Sequence, residues 1–254
     1  MIKTVNKTKK VILDLLYPPR CPVCHDIVEN GSGIICKNCI EKLPFVTGPT
    51  CRRCGKPLGD DEEAGEMQDL EEKLCTDCQE TEHIFRQGVG IFVYDDVMRK
   101  SIYQFKYQGR REYGKFYGMC AWQAAGEKLR SWKPQTIVPV PLHRKKYRMR
   151  GYNQAEVVAA QLGGYLKIPV QSGCVVRVKN TKAQKDLSPE LRRENLEGAF
   201  APGKEKLAGR RILLVDDIYT TGSTADAVSR VLAESGACEI YVLSVCIGKG
   251  NMIQ

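Results

Sequence analysis

Apolar runs alternate with helical patterns through the second half of the chain, and this alternation predicts an α/β domain. Residues 212–215 and 240–247 have the pattern of buried strands. Between them a helical pattern begins near Thr224 and ends at Gly236. Because a strand–helix–strand unit crosses over right-handed within a parallel sheet, we expect a mostly parallel sheet with flanking helices.

A second strand and helix lie earlier in this half. Residues 137–141 have the pattern of a strand and its turn, and a helix follows for which Asn153 is placed as the cap. The basic segment 143–150 lies between them, and charge placed after a strand and ahead of a helix N-terminus is an anion-binding arrangement. The polar stretch 177–200 is expected to be a long loop, and a loop of that length in a compact domain is usually functional or mobile.

The first half of the chain is different, with short polar stretches and four Cys-x-x-Cys pairs: Cys21/Cys24, Cys36/Cys39, Cys51/Cys54 and Cys75/Cys78. Each pair forms a tight knuckle that directs two thiolates at one point, and two knuckles complete a tetrahedral Zn²⁺ site. A single pair of this kind could be a redox dithiol. Four equally spaced pairs favour two zinc sites.

Pairing neighbours in sequence predicts one zinc site from the first two knuckles and another from the last two, while an interleaved pairing stays open. A closed Cys₄ site has no position for substrate, so both zinc ions are expected to be structural. Gly55 suits the turn that follows Cys54. The change of character near residue 84 predicts an N-terminal helix and double zinc ribbon over residues 1–84 and the α/β domain over residues 85–254.

The other cysteines and the histidines are not expected to carry chemistry. Four cysteines stand alone in apolar patterns and are predicted to be small core residues: Cys120, Cys174, Cys238 and Cys246. No histidine has a partner at the spacing of a catalytic triad or a ligand set: His25, His83 and His143.

Charge is unevenly distributed along the chain, whose formal net charge is +9. Five positive charges fall between Arg144 and Arg150, whereas residues 60–72 contain eight acids and no base. A local basic block fits an anionic ligand such as phosphate or nucleic acid, and the alternative is a solvated surface. The hydrophobic content of 43% is enough to bury a core.

The chain shows neither a membrane span nor a secretory signal. No apolar run approaches the length that a bilayer needs, and Asp14 interrupts the short apolar run near the N-terminus. We therefore expect a cytoplasmic protein. In that reducing compartment disulfides are rare and metal sites are favoured.

Two acids and a hydroxyl-rich loop follow the strand at residues 212–215. The acids are Asp216 and Asp217, and the loop consists of Thr220, Thr221, Gly222, Ser223 and Thr224. Backbone N–H groups and hydroxyls at a helix N-terminus favour a phosphate. Because the carboxylates would repel that phosphate, we expect them to accept hydrogen bonds from paired ribose hydroxyls. The run therefore predicts a sugar-phosphate site.

Two other interpretations of the motifs fail. A receiver domain also has an acid pair at a strand end, but only 37 residues follow Asp217. The segment from Gly109 to Lys115 approximates a P-loop, but Phe116 stands where a Mg²⁺-binding hydroxyl belongs and no strand pattern precedes it.

Residues 215–224, Val-Asp-Asp-x-x-x-Thr-Gly-x-Thr, resemble the phosphoribosyl pyrophosphate (PRPP) motif of type I phosphoribosyltransferases. The resemblance implies that Asp216 and Asp217 contact the ribose hydroxyls, that the loop holds the 5′-phosphate, and that Mg²⁺ accompanies the ligand. It also makes the basic segment a pyrophosphate loop, with His143, Arg144 and Arg150 as candidates; a solvated turn is the alternative. The polar stretch corresponds to a flexible loop that closes over the ligand.

Nearly the whole chain resembles the ComF/ComFC competence family. The matching pieces are Leu-Leu-Tyr-Pro-Pro-Arg-Cys-Pro-x-Cys24, the doubled zinc ribbon, Phe105-Lys-Tyr-Gln-Gly109, Val-Pro-Val-Pro-Leu-His143, Arg150-Gly-Tyr-Asn-Gln154 and Gln184…Arg192-Arg-Glu-Asn195. The acidic segment 60–72 departs from a compact ribbon. The resemblance implies a role in natural transformation, in which single-stranded DNA is handled in the cytoplasm beside a helicase partner.

Three functions are compatible with this sequence, because a fold does not determine function. The first is a competence protein that binds PRPP and single-stranded DNA, with basic segments interleaved with aromatic residues: Tyr103, Phe105, Tyr107, Tyr113, Tyr147 and Tyr152. The second is an active phosphoribosyltransferase with an unidentified acceptor. The third is a zinc-ribbon interaction module with a relic transferase domain, although retention of both acids and all the loop hydroxyls argues against it.

Overall fold

The structure of the chain is a computed structural model that describes residues 18–28, 33–58, 73–181, 189–205, 207 and 209–249. The predicted N-terminal helix and the acidic segment 60–72 lie outside these residues, as do residues 182–188 of the polar stretch. Within the described ranges, no helix is long and apolar enough to cross a membrane.

The described residues form six strands: β1 Gln87–Val93, β2 Thr136–Pro139, β3 Val175–Arg177, β4 Phe200–Pro202, β5 Arg211–Tyr219 and β6 Glu239–Ile247. Four of them form a parallel sheet in the order β1-β6-β5-β2, and β3 and β4 form a separate antiparallel pair. β6 is buried almost throughout, as expected for a parallel strand covered on both faces. The predicted α/β class is confirmed, and β5 continues beyond the predicted strand through the acid pair to Tyr219.

The described residues also form eight helices: α1 Lys37–Ile40, α2 Thr76–Glu80, α3 Asp96–Tyr107, α4 Tyr113–Ser131, α5 Arg144–Arg150, α6 Gln154–Leu166, α7 Pro189–Leu196 and α8 Ser223–Glu234. The predicted cap of α6 is present, because the Asn153 side chain accepts a hydrogen bond from the Ala155 N–H. The polar stretch that was expected to be a loop contains α7.

The basic segment, for which the sequence left a pyrophosphate loop and a solvated turn open, forms a helix. α5 follows His143, whose Nδ1 accepts a hydrogen bond from the Lys145 N–H, and it ends at Gly151 with a φ of 77°. Lysine and arginine are good helix formers, and Arg148 and Arg150 lie in the last turn, where positive charge complements the helix dipole. A high density of charge therefore did not exclude a helix.

The P-loop-like run is a feature of helix packing. Gly114 lies in α4, and a Cβ on it would come within 2.2 Å of Val157 Cγ1 in α6. One turn later, a Cβ on Gly118 would come within 2.3 Å of Gln161 Cβ. The two glycines allow α4 and α6 to pack closely.

The segment between the two zinc ribbons covers the β1 edge of the sheet. Val46 N–H donates to the Ile91 carbonyl at 2.9 Å, and Val93 N–H donates to the Pro44 carbonyl at 2.8 Å. The pairing satisfies backbone groups that an edge strand would otherwise expose. The ring centroids of Phe45 and Phe92 lie 4.7 Å apart at this junction.

The second ribbon also meets the beginning of β1. Gly55 has the predicted turn conformation, with a φ of 80°, and its close packing adds a second reason for glycine. A Cβ on Gly55 would lie 2.8 Å from the Gly88 carbonyl oxygen. Ribbon and sheet thus share an interface, and the domain boundary near residue 84 stays a prediction.

Three of the four isolated cysteines are core residues as predicted: Cys120, Cys174 and Cys246. The prediction is wrong for Cys238, which is exposed in the turn that precedes β6.

Candidate functional site

The eight paired cysteines form two clusters, and neighbouring knuckles share a cluster as sequence order predicted. One consists of Cys21, Cys24, Cys36 and Cys39, and the other of Cys51, Cys54, Cys75 and Cys78; within each cluster the four Sγ atoms lie within 4.8 Å of one another. The Sγ–Sγ distance is 3.7 Å between Cys24 and Cys36 and 3.6 Å between Cys54 and Cys75. Tetrahedral Zn²⁺ with Zn–S bonds of about 2.3 Å separates its sulfurs by about 3.8 Å, so both clusters fit structural zinc.

The two zinc sites differ in their access to solvent. All four cysteines of the second site are buried, whereas Cys24 of the first site is exposed and Cys36 is half-buried. Each site joins a hydrophobic core of the α/β domain: Cys21 and Cys39 belong to one cluster of buried residues, and the second site belongs to the other. Both zinc sites therefore contribute to the support of the sheet and its helices.

The acid pair lies at the carboxyl end of β5, next to a lysine from α3. Lys106 Nζ donates to Asp217 Oδ1 at 2.9 Å, and the Asp217 N–H donates to Asp216 Oδ1 at 2.7 Å. Burial, and secondarily the Asp217 charge, raises the pKa of Asp216 to about 7. The two carboxyl groups therefore differ: Asp217 is paired with a cation, and Asp216 readily takes up a proton.

The hydroxyl-rich loop turns directly from β5 into α8. Gly222 is the N-cap of α8 and has a φ of 82°, which places it in the left-handed region that favours glycine. Thr221 Oγ1 and Ser223 Oγ lie 2.8 Å apart. The 12-residue helix α8 thus presents its N-terminus and several hydroxyls at one place, which is an arrangement that favours a phosphate.

A cavity of about 780 Å³ brings the acid pair and this loop together. Its walls contain both acids and two loop hydroxyl residues, Thr220 and Thr224, together with six cationic residues: Arg99, Lys100, Lys106, Lys146, Arg150 and Arg177. Three tyrosines also line it: Tyr94, Tyr103 and Tyr107. Such a combination suits a ligand that carries negative charge and hydroxyl groups.

The cations were only partly found from the sequence. Of the pyrophosphate-loop candidates Arg150 lines the cavity, whereas His143 caps α5 and neither His143 nor Arg144 is among the lining residues. Lys146 comes from the same basic segment, but Arg177, at the end of β3, had no sequence signal. Burial and the neighbouring arginines lower the pKa of Lys146, and burial lowers that of Arg177.

Two arginines in the cavity retain unused donors. Among the described residues, the Nε atoms of Arg150 and Arg177 are buried and have no hydrogen-bond partner. Arg150 is held by Gln154 Oε1 at 2.8 Å and by the Tyr107 hydroxyl at 3.0 Å, and its guanidinium lies 4.8 Å from the Tyr107 ring centroid. The arginine is therefore positioned in advance of any anion that it binds.

Two histidines have tertiary partners that sequence spacing could not reveal. His83 Nδ1 lies 2.7 Å from Asp226 Oδ2, and His25 Nδ1 lies 2.6 Å from the Tyr113 hydroxyl. His83 is the nearer to the loop, because Asp226 lies in the first turn of α8.

Two known protein domains match separate parts of the chain. Residues 12–79 match the double zinc ribbon domain, and residues 123–251 match the phosphoribosyl transferase domain. The chain therefore combines a double zinc ribbon with a type I phosphoribosyltransferase-like domain.

Three relatives cover most of the chain. It is 32% identical to competence protein F of Haemophilus influenzae, over 88% of this chain and 94% of that protein. It is 28% identical to competence protein ComFC of Bacillus subtilis, over 80% and 79%, and 27% identical to DNA utilization protein YhgH of Escherichia coli K12, over 91% and 98%. The chain belongs to the ComF family of competence proteins.

Proposed function

We propose that the cavity binds PRPP together with Mg²⁺. The observation that carries the proposal is that one cavity is shared by the acid pair, the loop and six cationic residues. In this arrangement the N-terminus of α8 holds the 5′-phosphate, and Asp216 and Asp217 accept hydrogen bonds from the ribose hydroxyls. Lys146, Arg150 and Arg177 supply positive charge for the pyrophosphate, which also carries the Mg²⁺.

The ion pair between Lys106 and Asp217 supports the ribose role of the acids. It offsets one negative charge beside a polyanionic ligand, and the raised pKa of Asp216 reduces the other near pH 7. Repulsion between the acid pair and the phosphates is therefore weaker than two free carboxylates would cause.

We propose that the protein acts in the cytoplasm in the uptake or use of DNA, with single-stranded DNA as a ligand and a helicase as a partner. The names of its relatives support a role of this kind. Three of the aromatic residues considered for base stacking are exposed: Tyr103 and Tyr107, which line the cavity, and Tyr147, which does not. The other three are buried and are unsuited to stack on bases: Phe105, Tyr113 and Tyr152.

An active phosphoribosyltransferase with an unidentified acceptor is the second candidate. The intact cavity favours it over a relic domain, because a relic has no need to keep two acids and six cationic residues around one space. Release of pyrophosphate from PRPP in the presence of a nucleobase would distinguish an enzyme from a binding protein.

Calorimetric titration of PRPP with Mg²⁺ into the zinc-loaded protein tests the ligand. We expect binding to the wild type and to Glu127→Ala, whose acid is exposed on α4 and does not line the cavity, and loss of binding in Asp216→Ala/Asp217→Ala. Absence of binding to folded wild type would refute the proposal and leave the zinc-ribbon interaction module as the better interpretation.

Fluorescence anisotropy with labelled single-stranded DNA tests the second ligand. Affinity should fall steeply as salt increases and should fall in Tyr107→Ala. Tyr165→Ala is the matched control, because Tyr165 is an exposed tyrosine that stacks on Trp122, away from the cavity. Equal losses in both variants would contradict a stacking role for Tyr107.

A further inference from the structure

A buried histidine connects the second zinc ribbon with the hydroxyl-rich loop. The His83 side chain is fully buried, and its Nδ1 lies 2.7 Å from Asp226 Oδ2 in the first turn of α8. The other carboxylate oxygen, Oδ1, accepts a hydrogen bond from the Ile84 N–H at 3.0 Å. Both carboxylate oxygens of Asp226 are thus held by groups that follow the second zinc site in sequence.

The same histidine lies beneath the turn of the loop. A Cβ on Gly222 would come within 2.7 Å of His83 Cε1 and within 2.6 Å of the Tyr219 hydroxyl. His83 Nε2 lies 3.4 Å from that hydroxyl. The left-handed turn at Gly222 therefore rests on His83 and Tyr219, and a shift of either ring would move it.

The backbone of His83 is held by a zinc knuckle. Arg53, which lies between the zinc-ligand residues Cys51 and Cys54, donates from Nη2 to the His83 carbonyl at 2.8 Å. The His83 ring also stacks on Phe85, with centroids 4.8 Å apart. Phe85 belongs to the same buried cluster as the four cysteines of the second site, Tyr219 and Ala225.

Asp226 gives this connection an electrostatic consequence. Its carboxylate lies one turn from the helix N-terminus that would receive a phosphate, and an unrestrained negative charge there would oppose the ligand. Hydrogen bonds from His83 and Ile84 hold the carboxylate in a defined position and spread its charge. Loss of the His83 donor would leave that carboxylate free to turn toward the loop.

We infer that His83 is a positioning residue through which the second zinc ribbon sets the conformation of the hydroxyl-rich loop. The affinity of this loop for a sugar phosphate then depends on the integrity of the second zinc site. The inference rests on the proposed binding of PRPP for its ligand part. Its structural part, the coupling of His83 to the loop, does not require any ligand.

Two measurements on five variants test the inference. Hydrogen–deuterium exchange of residues 219–228 reports on the loop without ligand, and calorimetry with PRPP and Mg²⁺ reports on affinity. His83→Leu keeps the bulk and removes the donor, whereas His83→Asn keeps an N–H donor near Nδ1. Asp226→Asn removes the charge, His83→Leu/Asp226→Asn removes both the donor and the charge, and His25→Asn is the control near the first zinc site.

We expect His83→Leu to retain two zinc ions per chain, to exchange faster at residues 219–228 and to bind PRPP about tenfold or more weakly, as for a lost hydrogen bond to a charged group. His83→Asn should restore affinity to within about threefold. The loss of PRPP affinity caused by His83→Leu should be smaller in the Asp226→Asn variant than in the wild type, because the charge that the donor restrains is then absent. His25→Asn should match the wild type in both measurements.

Wild-type exchange at residues 219–228 in a folded, zinc-loaded His83→Leu would overturn the inference. If the leucine variant does not fold, His83→Phe carries the test, because it keeps an aromatic ring against Phe85 and has no donor for Asp226. Faster loop exchange there than in His25→Asn, together with unchanged zinc content, supports the coupling, and equal exchange in these two variants overturns it. Failure of the wild type to bind PRPP would refute the proposed ligand and leave the exchange result to decide the coupling.

Discussion

Replacement of Asp216 by asparagine should stabilise the unliganded protein while it weakens PRPP binding. Asparagine has nearly the same shape, and its Oδ1 can accept the hydrogen bond that the Asp217 N–H donates to Asp216. What it removes is a carboxyl group whose pKa burial raises from 3.8 to about 7. We expect a gain in stability because ionisation of that group is less favourable in the folded protein than in the unfolded chain.

The pH dependence follows from the direction of this shift. Below about pH 3.8 the carboxyl group is protonated in both states and has no effect. Between pH 3.8 and 7 the unfolded chain ionises first, so the free energy of unfolding falls as the pH rises, and above pH 7 the full penalty is present. The increase in the free energy of unfolding caused by Asp216→Asn should therefore reach its full size at pH 8 and be about half as large at pH 5.5.

The pKa shift of Asp216 sets an upper bound on the gain in stability, and screening by solvent reduces that gain. About three pKa units correspond to about 4 kcal/mol, and because Asp216 is only half-buried, screening reduces this to about 1–2 kcal/mol. In a chain of this size that gain raises the Tm by about 2–8 °C at pH 8. Thermal unfolding at pH 5.5 and pH 8, with zinc held constant, measures the difference.

Asp217→Asn provides the contrast, because it removes one partner of the ion pair with Lys106, whose two side chains are only 15% and 16% exposed. This second substitution should lower the Tm at pH 8. The reasoning would be refuted if Asp216→Asn were less stable than wild type at pH 8, or if its advantage did not change with pH.

Three further predictions concern packing, charge and metal. Gly55→Ala should lower the free energy of unfolding by about 1–3 kcal/mol more than Gly48→Ala. Both glycines have positive φ, but of the two only a Cβ at position 55 would meet backbone atoms, at 2.8 Å. Urea denaturation compares the two variants, and equal losses of stability would contradict this packing argument. Lys106→Gln should weaken PRPP binding and destabilise the protein by about 1–3 kcal/mol, because Asp217 loses its cationic partner. Calorimetry measures the binding and urea denaturation measures the stability, and wild-type values of both would contradict the prediction. A chelator should remove zinc from the first site before the second, because Cys24 is exposed and the second site is buried; a colorimetric zinc indicator follows the release, and the reverse order would show that burial does not control it.

The elements that could be predicted from the sequence are those whose parts are adjacent in the chain. The acid pair, the loop and the start of α8 lie within ten consecutive residues, 215–224, so a strand followed by a turn and a helix was enough to place them together. The zinc knuckles are local in the same sense. Their pairing also followed chain order, with the first knuckle joined to the second and the third to the fourth.

The elements that were missed depend on packing between distant segments. Lys106 and Asp217 are 111 residues apart, and His83 and Asp226 are 143 residues apart. Arg177 reaches the cavity from a two-stranded sheet that had no strong pattern of its own. The helix α5 was obscured because a run of like charges indicated a solvated turn, whereas helix propensity and the turn at Gly151 decided the conformation.

By itself, the sequence of this protein determined its class: two structural zinc sites, an α/β domain with a parallel sheet, and an acid pair before a hydroxyl-rich loop. Each of these depends on residue type and short spacing, which a local segment expresses wherever it lies in the fold. The tertiary structure alone decided which cations line the cavity with the acids, that Lys106 forms its ion pair with Asp217, and that a histidine after the second zinc site lies against Gly222. These features arise because the parallel sheet brings the carboxyl ends of its strands to one edge, where side chains from separate segments meet in a partly buried space and alter one another's charge.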